Sequence, residues 1–433
     1  MLVNFSFRNF RSFRDAQQFS FEPVSGKRGD GLISVAAIYG ANASGKSNFL
    51  TAFGCFLWIV QNSYSHGKEG SLLPAEQFLL GAASDESITE FAIELIAEDI
   101  KYEYSFGFNS REIVYEELIA YYTRQPSLLF SRDARSNKPI KFGSAFTGPK
   151  KQLWNITRSN SLFLSVAATA ASSVVQPVYS ALQGFCIYDA PHYSAELTEV
   201  KKQFIAGSKR AKNLAQLIKY ADIGIDDLDV RQNEALRGYK GIKTTYAGTD
   251  PIPEDVQQSI EDEIKLSLNY DLYFHHKGND GGQWFNSARE SEGTKAALAF
   301  FSVALRSLEE GTSTLVDELD MSLHPLLARD FVSLFDDRDT NPHNAQLIFT
   351  THDVSLMTRT SPLDDVLKRD QVWFVEKDDE GASTLISAME YSPRSNENIG
   401  RNYMNGVYTA LPNPTFHEHF AEMLHEEDAD DEI

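Results

Sequence analysis

Sixteen residues, Ile33 to Asn48 (ISVAAIYGANASGKSN), restrict the fold more than any other stretch of the chain. An apolar run reads as a strand, a glycine-bounded loop follows, and a helix starts near Gly45. Inside it, Gly40-Ala41-Asn42-Ala43-Ser44-Gly45-Lys46-Ser47 fits G-x-x-x-x-G-K-[ST], the loop that cradles phosphate. Gly40 and Gly45 let the backbone curl so that successive N–H groups point at an anion. The helix start adds the positive end of its dipole. Lys46 is the candidate for the β- and γ-phosphates, and Ser47 for a hydroxyl on Mg²⁺. Asn42, Ser44 and Asn48 complete the candidate nucleotide-binding set.

The 433 residues leave room for two or three domains, and 42% hydrophobic with 23% charged residues is ordinary for a globular chain. Two cysteines, Cys55 and Cys186, predict a reducing, cytoplasmic setting without structural disulfides. The start, MLVNFSFRNFRS, has no long apolar leader segment. The most apolar run, Phe49 to Val60, is too short to span a bilayer and reads as a buried helix. A net charge of −21 disfavours attraction to nucleic acid by the overall field, though a local basic groove remains open. The acidic end, His425 to Ile433, reads as a solvated tail or a docking peptide for a basic partner.

Phe5 and Phe7, then Phe19 and Phe21, alternate with polar residues and predict two short strands, with Arg11 to Arg14 in a turn between them. Ile33 to Tyr39 suits a central strand buried on both faces. The helix after the loop is predicted to run to about Tyr64. Gln77 to Tyr122 turns to β alternation and predicts an antiparallel meander. Ser131 to Gly148 is polar and predicts a loop. Trp154 to Ile225 is mostly helical in pattern. Within it, Lys201, Lys202, Lys209, Arg210 and Lys212 lie along apolar spacing, read as a solvated helix pair, with a partner or nucleic-acid surface as the alternative. Short strands are predicted near Ile225 and over Tyr239 to Thr245, and a break at Asp250 to Pro253. No heptad pattern is sustained. Glu292 to Leu308 predicts a helix, and Ser313 to Val316, Gln346 to Phe349 and Val372 to Val375 predict strands of a parallel sheet.

Three later motifs carry chemistry. In Ser313-Thr-Leu-Val-Asp-Glu318 an apolar strand ends in two acids, which places them at the carboxyl edge of the sheet. Asp317 is the candidate to hold Mg²⁺ through water, and Glu318 to orient or deprotonate the attacking water. In Gln346-Leu-Ile-Phe-Thr-Thr-His352 another strand ends in polar groups, and His352 is a candidate donor to the γ-phosphate or the water. Glu290-Ser291-Glu292-Gly293-Thr294-Lys295 opens a helix with Ser291 as cap and Gly293 allowing close approach. One ATP has no obvious use for a second anion-binding turn, but two copies of the chain would each press it on the other's phosphate.

In this order the motifs resemble the ABC-type ATPase heads of SMC and DNA-repair proteins. By that resemblance Asp320, in the Leu319–Pro325 segment, faces the neighbouring subunit, and Arg11 of Asn9-Phe10-Arg11-Ser12 approaches the nucleotide. ESEGT, DELDMSLHP, Gln371 to Glu376 and Arg401 to Pro412 are most similar to the compact OLD-like ATPases of bacterial antiphage and abortive-infection loci, the RloA, AbiL and PARIS AriA type. The resemblance covers about 1–65 and 285–412. It implies ATP and Mg²⁺, an ATP-sandwiched dimer of heads, an effector nuclease or toxin in trans, and a phage-encoded trigger. A glutamine that reaches the metal is expected, and Gln77 is the candidate.

The expected fold is α/β, a P-loop ABC-type ATPase head with an attached antiparallel β meander and an inserted helical subdomain. Expected divisions are 1–75 for the first part of the core, 76–150 for the meander, 151–284 for a mainly helical insertion, 285–412 for the rest of the core and 413–433 for the acidic tail. Two alternatives stay open: a DNA-repair ATPase similar to RecF, and a scaffold that holds ATP with little turnover.

Overall fold

The computed structural model describes residues 1–24, 31–65, 68–81, 87–188, 193–221, 224–233, 254–278, 281–321, 323–358, 366–394, 397–408, 410–411, 415, 417, 419–420 and 423. The expectations for Tyr239 to Thr245, for Asp250 to Pro253 and for the acidic run from His425 lie outside these residues.

The amino-terminal half is built on phenylalanine. β1 (Leu2–Arg8) and β2 (Gln17–Ser20) pair antiparallel, as their alternation predicts. β3 (Val35–Tyr39) is fully buried and leads through the phosphate loop into α1 (Lys46–Asn62). The meander follows as β4 (Thr89–Ala97), β5 (Ile100–Phe108), β6 (Ile113–Tyr121), β7 (Ser127–Asp133) and β8 (Ile140–Phe142). These strands form one antiparallel sheet in the order β2-β1-β4-β5-β6-β7-β8. β7 and β8 correct the expectation of a loop over Ser131 to Gly148. Phe130 and Phe142 pack their rings on Phe163, at 4.8 and 5.4 Å between centroids, and this burial makes strands of a stretch whose intervening residues are polar.

The next elements are α2 (Lys150–Asn155), α3 (Phe163–Thr169), α4 (Gln176–Gln183), β9 (Cys186–Tyr188), α5 (Tyr193–Ile205), α6 (Lys209–Tyr220), β10 (Ile225–Gln232), α7 (Glu254–Asn269), β11 (Tyr270–His276) and β12 (Gln283–Asn286). β10, β11 and β12 form a small antiparallel sheet of their own. β9 was not expected: it lies inside a helical stretch yet pairs parallel with the acid-bearing strand of the central sheet. Three residues are too short a run to show a period of two.

The remainder is α8 (Glu292–Glu310), β13 (Ser313–Val316), α9 (Pro325–Asp336), β14 (Gln346–Thr350), β15 (Val372–Lys377), β16 (Ser383–Ser387) and α10 (Ile399–Met404). The central sheet runs β16-β15-β3-β14-β13-β9, parallel throughout except for β16 at one edge. The protein is therefore α/β, with an antiparallel meander attached and helices inserted.

The two faces of β3 set the layers. Ala36 and Ile38 face a core shared with α1 and the meander, while Val35, Ala37 and Tyr39 face a second core with α8 and α9. α1 thus lies between the two sheets, where the Phe5 ring of β1 meets those of Phe49, Phe53 and Phe56 edge-on or tilted, at 4.5–6.3 Å between centroids. Burying four phenylalanines there contributes roughly 1.5–3 kcal/mol each. The far end of α1 is held as firmly. Arg158 donates to the carbonyls of Ser63 and Tyr64, and Ser165 Oγ to that of Val60.

The basic residues of α5 and α6 are mostly used within the chain. Arg210 bonds Glu309 and Glu310, Lys201 donates to the Ser267 carbonyl, and Lys202 pairs with Glu199. This favours the solvated helix pair over a nucleic-acid surface. Among the described residues no helix is long and apolar enough to cross a membrane.

Candidate functional site

The site lies at the carboxyl ends of β3, β13 and β14, where a parallel sheet leaves its loops free for ligands. β3 delivers the phosphate loop. A side chain on Gly40 would meet the Val375 carbonyl at 2.4 Å, and one on Gly45 would meet Ser383 Oγ at 2.6 Å and Ser12 Oγ at 2.9 Å. Gly45 also has φ 122°, which side chains rarely adopt. It caps α1 with no side-chain bond to the first turn, so that turn's N–H groups are not claimed by a capping oxygen. Asn42 and Ser47 are exposed, whereas Ser44, Gly45 and Lys46 are buried.

Lys46 Nζ donates to the Gly40 and Ala41 carbonyls, at 2.9 and 3.0 Å. Burial pulls its ammonium below the ordinary value, and Asp317, Glu318 and Asp320 pull it partly back. These are the acids of the strand-end motif, so sequence-distant groups share one field around the lysine.

β13 and β14 hold the acids. Thr350 Oγ1 donates to Asp317 Oδ1 at 2.5 Å and accepts the Glu318 N–H at 2.8 Å. The Asp317 N–H bonds the Tyr188 carbonyl of β9. Glu318 sits at φ 53°, an unfavourable region for a side chain with a Cβ, so the carboxylate leaves the strand at a fixed sharp turn. The Asp320 carboxylate accepts the backbone N–H of His352 at 3.2 Å, which docks the segment after β13 on the end of β14. His352 itself is exposed.

The Asn9–Ser12 element buttresses the loop. Asn48 donates to Ser12 Oγ at 2.8 Å, and Ser383 Oγ donates to the Ser44 carbonyl. Arg11 donates to Glu76 at 2.6 Å, Thr51 at 3.1 Å and Asn48 at 3.4 Å, which places its guanidinium along the start of α1.

Gln77 is not brought to the loop by its contacts: its amide donates to the Ser87 carbonyl, and the neighbouring Glu76 takes Arg11 instead. That bond uses the amide nitrogen, whereas a cation would take the amide oxygen, so Gln77 stays a candidate ligand. Ser291 caps α8 as expected, its Oγ accepting the Thr294 N–H at 3.0 Å. Ser291 and Gly293 are exposed, and none of their described hydrogen bonds reaches the phosphate loop of the same chain. Thr350 and Ser383 escaped the sequence reading. Thr350 had a signal, since it is the first polar residue after the apolar run of β14. Ser383, on an edge strand with alternating burial, had none.

The residues fit a nucleotide with a divalent cation. Ser44 Oγ is buried with no partner in the chain, inside a cradle that a Cβ at Gly40 or Gly45 would fill. A hydroxyl (Ser47) and a carboxylate (Asp317) are hard oxygen donors of the kind Mg²⁺ takes beside phosphate oxygens and water. Among the described residues no group of three or more His, Cys, Asp or Glu could by itself hold a metal ion.

Residues 35–358 match the family model described as "AAA domain, putative AbiEii toxin, Type IV TA system". No curated protein matches the chain. Among solved structures, the SMC head domain from Thermotoga maritima aligns over 89% of this chain and 98% of that one, at 11% identity and a TM-score of 0.40. The Smc head domain with an extended coiled coil, bound to the C-terminal domain of ScpA, derived from Pyrococcus furiosus, aligns over 89% and 95%, at 12% identity and a TM-score of 0.41.

Proposed function

The chain belongs to the AbiEii-type AAA-domain family, and we propose that within it the protein hydrolyses ATP and associates through it as an ABC-type head. The observation that carries this is the convergence of Lys46, Asp317, Glu318 and Asp320 at one sheet edge, with Thr350 fixing both strand-end acids.

In this reading the N–H groups of residues 40–47 and Lys46 bind the phosphates. Ser47 and Asp317 would hold Mg²⁺, which when bound would supply positive charge against the charge that develops during phosphoryl transfer. Glu318 accepts the proton of the attacking water, and His352 donates to the γ-phosphate. Arg11 steadies the start of the binding helix. Ser291 and Gly293 act on the nucleotide held by a second copy, and Asp320 lies at the seam between copies. The exposure of Ser291 and Gly293, with no partner in their own site, supports an action in trans.

The ATP cycle would then switch the assembly between closed and open, holding and releasing a separate nuclease or toxin effector when a phage product appears. This setting draws support from the toxin–antitoxin description of the family and from the RloA, AbiL and PARIS AriA-like motifs. The test is recovery of tagged Glu318→Gln protein from its native host, with and without phage infection, with partners read by mass spectrometry. One stoichiometric partner, kept with ATP and released on infection, is expected. Recovery of DNA-repair factors would favour a repair ATPase, and recovery of the chain alone a scaffold.

A further inference from the structure

The turn that opens α8 is anchored by a histidine–carboxylate hydrogen bond outside the phosphate site. The Glu290 carboxylate, only 8% exposed, meets His276 Nε2 at 2.7 Å. Glu290 immediately precedes the cap Ser291, and its N–H bonds the Ser287 carbonyl of the short turn that follows β12. His276 is the last residue of β11, and its ring packs on Phe285 of β12 at 5.3 Å. The small sheet therefore grips both sides of the residue from which the Ser291–Thr294 turn projects.

A cap that serves only its own helix needs no such fixture, since Ser291 already satisfies Thr294. Glu290 adds a side chain taken out of water and bonded to a different element, which fixes where the turn points. The same small sheet is tied to α8 from behind. α6 packs on β10, and both α5 and α6 pack on α8. A displacement of the sheet would thus carry the turn with it.

We propose that His276 and Glu290 are positioning residues that aim the Ser291–Thr294 turn at the nucleotide of a second copy. The inference rests on the in-trans reading above. The pair leaves the phosphate loop of its own chain untouched, so it governs association and not the first binding of ATP.

The test separates the two steps. Binding of a fluorescent ATP analogue to dilute protein reports the chain's own loop. ATP turnover per chain, measured against protein concentration, reports association. His276→Ala and Glu290→Ala are each expected to raise the protein concentration for half-maximal turnover about tenfold, as loss of one charge-assisted bond would. The double variant should be no worse than either single one, and His276→Gln, which keeps an N–H donor, should restore most of the loss. Analogue affinity should stay within about twofold of wild type, because α1 and the loop are not touched. An unchanged half-maximal concentration, additive losses, or an equal loss of analogue binding would each overturn the assignment while leaving the ATPase reading in place. Wild-type turnover that does not rise with protein concentration would remove the in-trans reading and this proposal together.

Discussion

The hydroxyl of Thr350 donates to the Asp317 carboxylate and accepts the N–H of Glu318, so one buried side chain at the end of β14 fixes two acids at the end of β13. The sheet brings them together by register, with Val316 opposite Phe349 in the parallel ladder. The positive φ of Glu318 is the strained conformation this bond holds in place.

Replacing Thr350 by valine keeps the shape and removes the bond. The lost hydrogen bond to the Asp317 carboxylate is worth about 1.5–3 kcal/mol, so kcat for ATP should fall roughly 10- to 100-fold. KM should change little, since Lys46 and the loop N–H groups remain. Steady-state kinetics checks this, with Thr350→Ser expected to recover most of the rate. Wild-type turnover in Thr350→Val would show that the acids are held by other means.

Gly45 is pressed between Ser383 and Ser12 at φ 122°. Gly45→Ala must move one of these serines and strain the backbone, at about 1–3 kcal/mol. Calorimetric titration with MgATP should show affinity lower by roughly 5- to 100-fold. Affinity within twofold of wild type would mean that the loop is looser than its contacts indicate.

A buried pair supports α1 from below. Glu116 and Arg132 lie 3.8 Å apart, and Glu116 accepts the N–H groups of Phe163 and Leu164 and the hydroxyl of Tyr104. Burial raises the Glu116 carboxyl above its ordinary value, and Arg132 works against that rise. Arg132→Met removes the opposing charge and should cost about 3–5 kcal/mol. The sign of its pH dependence follows from linkage. A carboxyl raised in the folded state binds more protons there than unfolded, so stability falls as pH rises through the folded value. The deficit of Arg132→Met against wild type should therefore be larger at pH 8 than at pH 5. Thermal unfolding at both values measures it, and a deficit that shrinks at pH 8 would contradict this account.

The overall charge of −21 and the internally paired cations of α5 and α6 predict that duplex DNA does not stimulate turnover. A several-fold, salt-sensitive rise in ATPase rate with added DNA would move the reading to a repair ATPase.

The nucleotide core was legible because its signals are local. The G-x-x-x-x-G-K-[ST] spacing, the strand ending in Asp317 and Glu318, and the strand before His352 each carry their own pattern, and the parallel sheet joins them as that pattern requires. What was not legible depends on partners far along the chain. β8 is a strand because Phe142 finds Phe146 and Phe163, and β9 because the edge of β13 is free to receive three residues. The Gln77 amide N–H is held by the Ser87 carbonyl, a contact that no local pattern marks. Thr350 looked like one more polar residue after a strand, and its two hydrogen bonds, to the Asp317 carboxylate and from the Glu318 N–H, become visible only when β13 and β14 lie side by side.

The most direct test of the central claim is Glu318→Gln, followed by light scattering and by the amount of unhydrolysed ATP that stays with the protein. Glutamine keeps the shape and the backbone N–H that donates to Thr350 but cannot accept a proton. The account predicts turnover lower by roughly two orders of magnitude or more, and an associated species that retains ATP. Wild-type turnover, or ATP held by single chains alone, would contradict it.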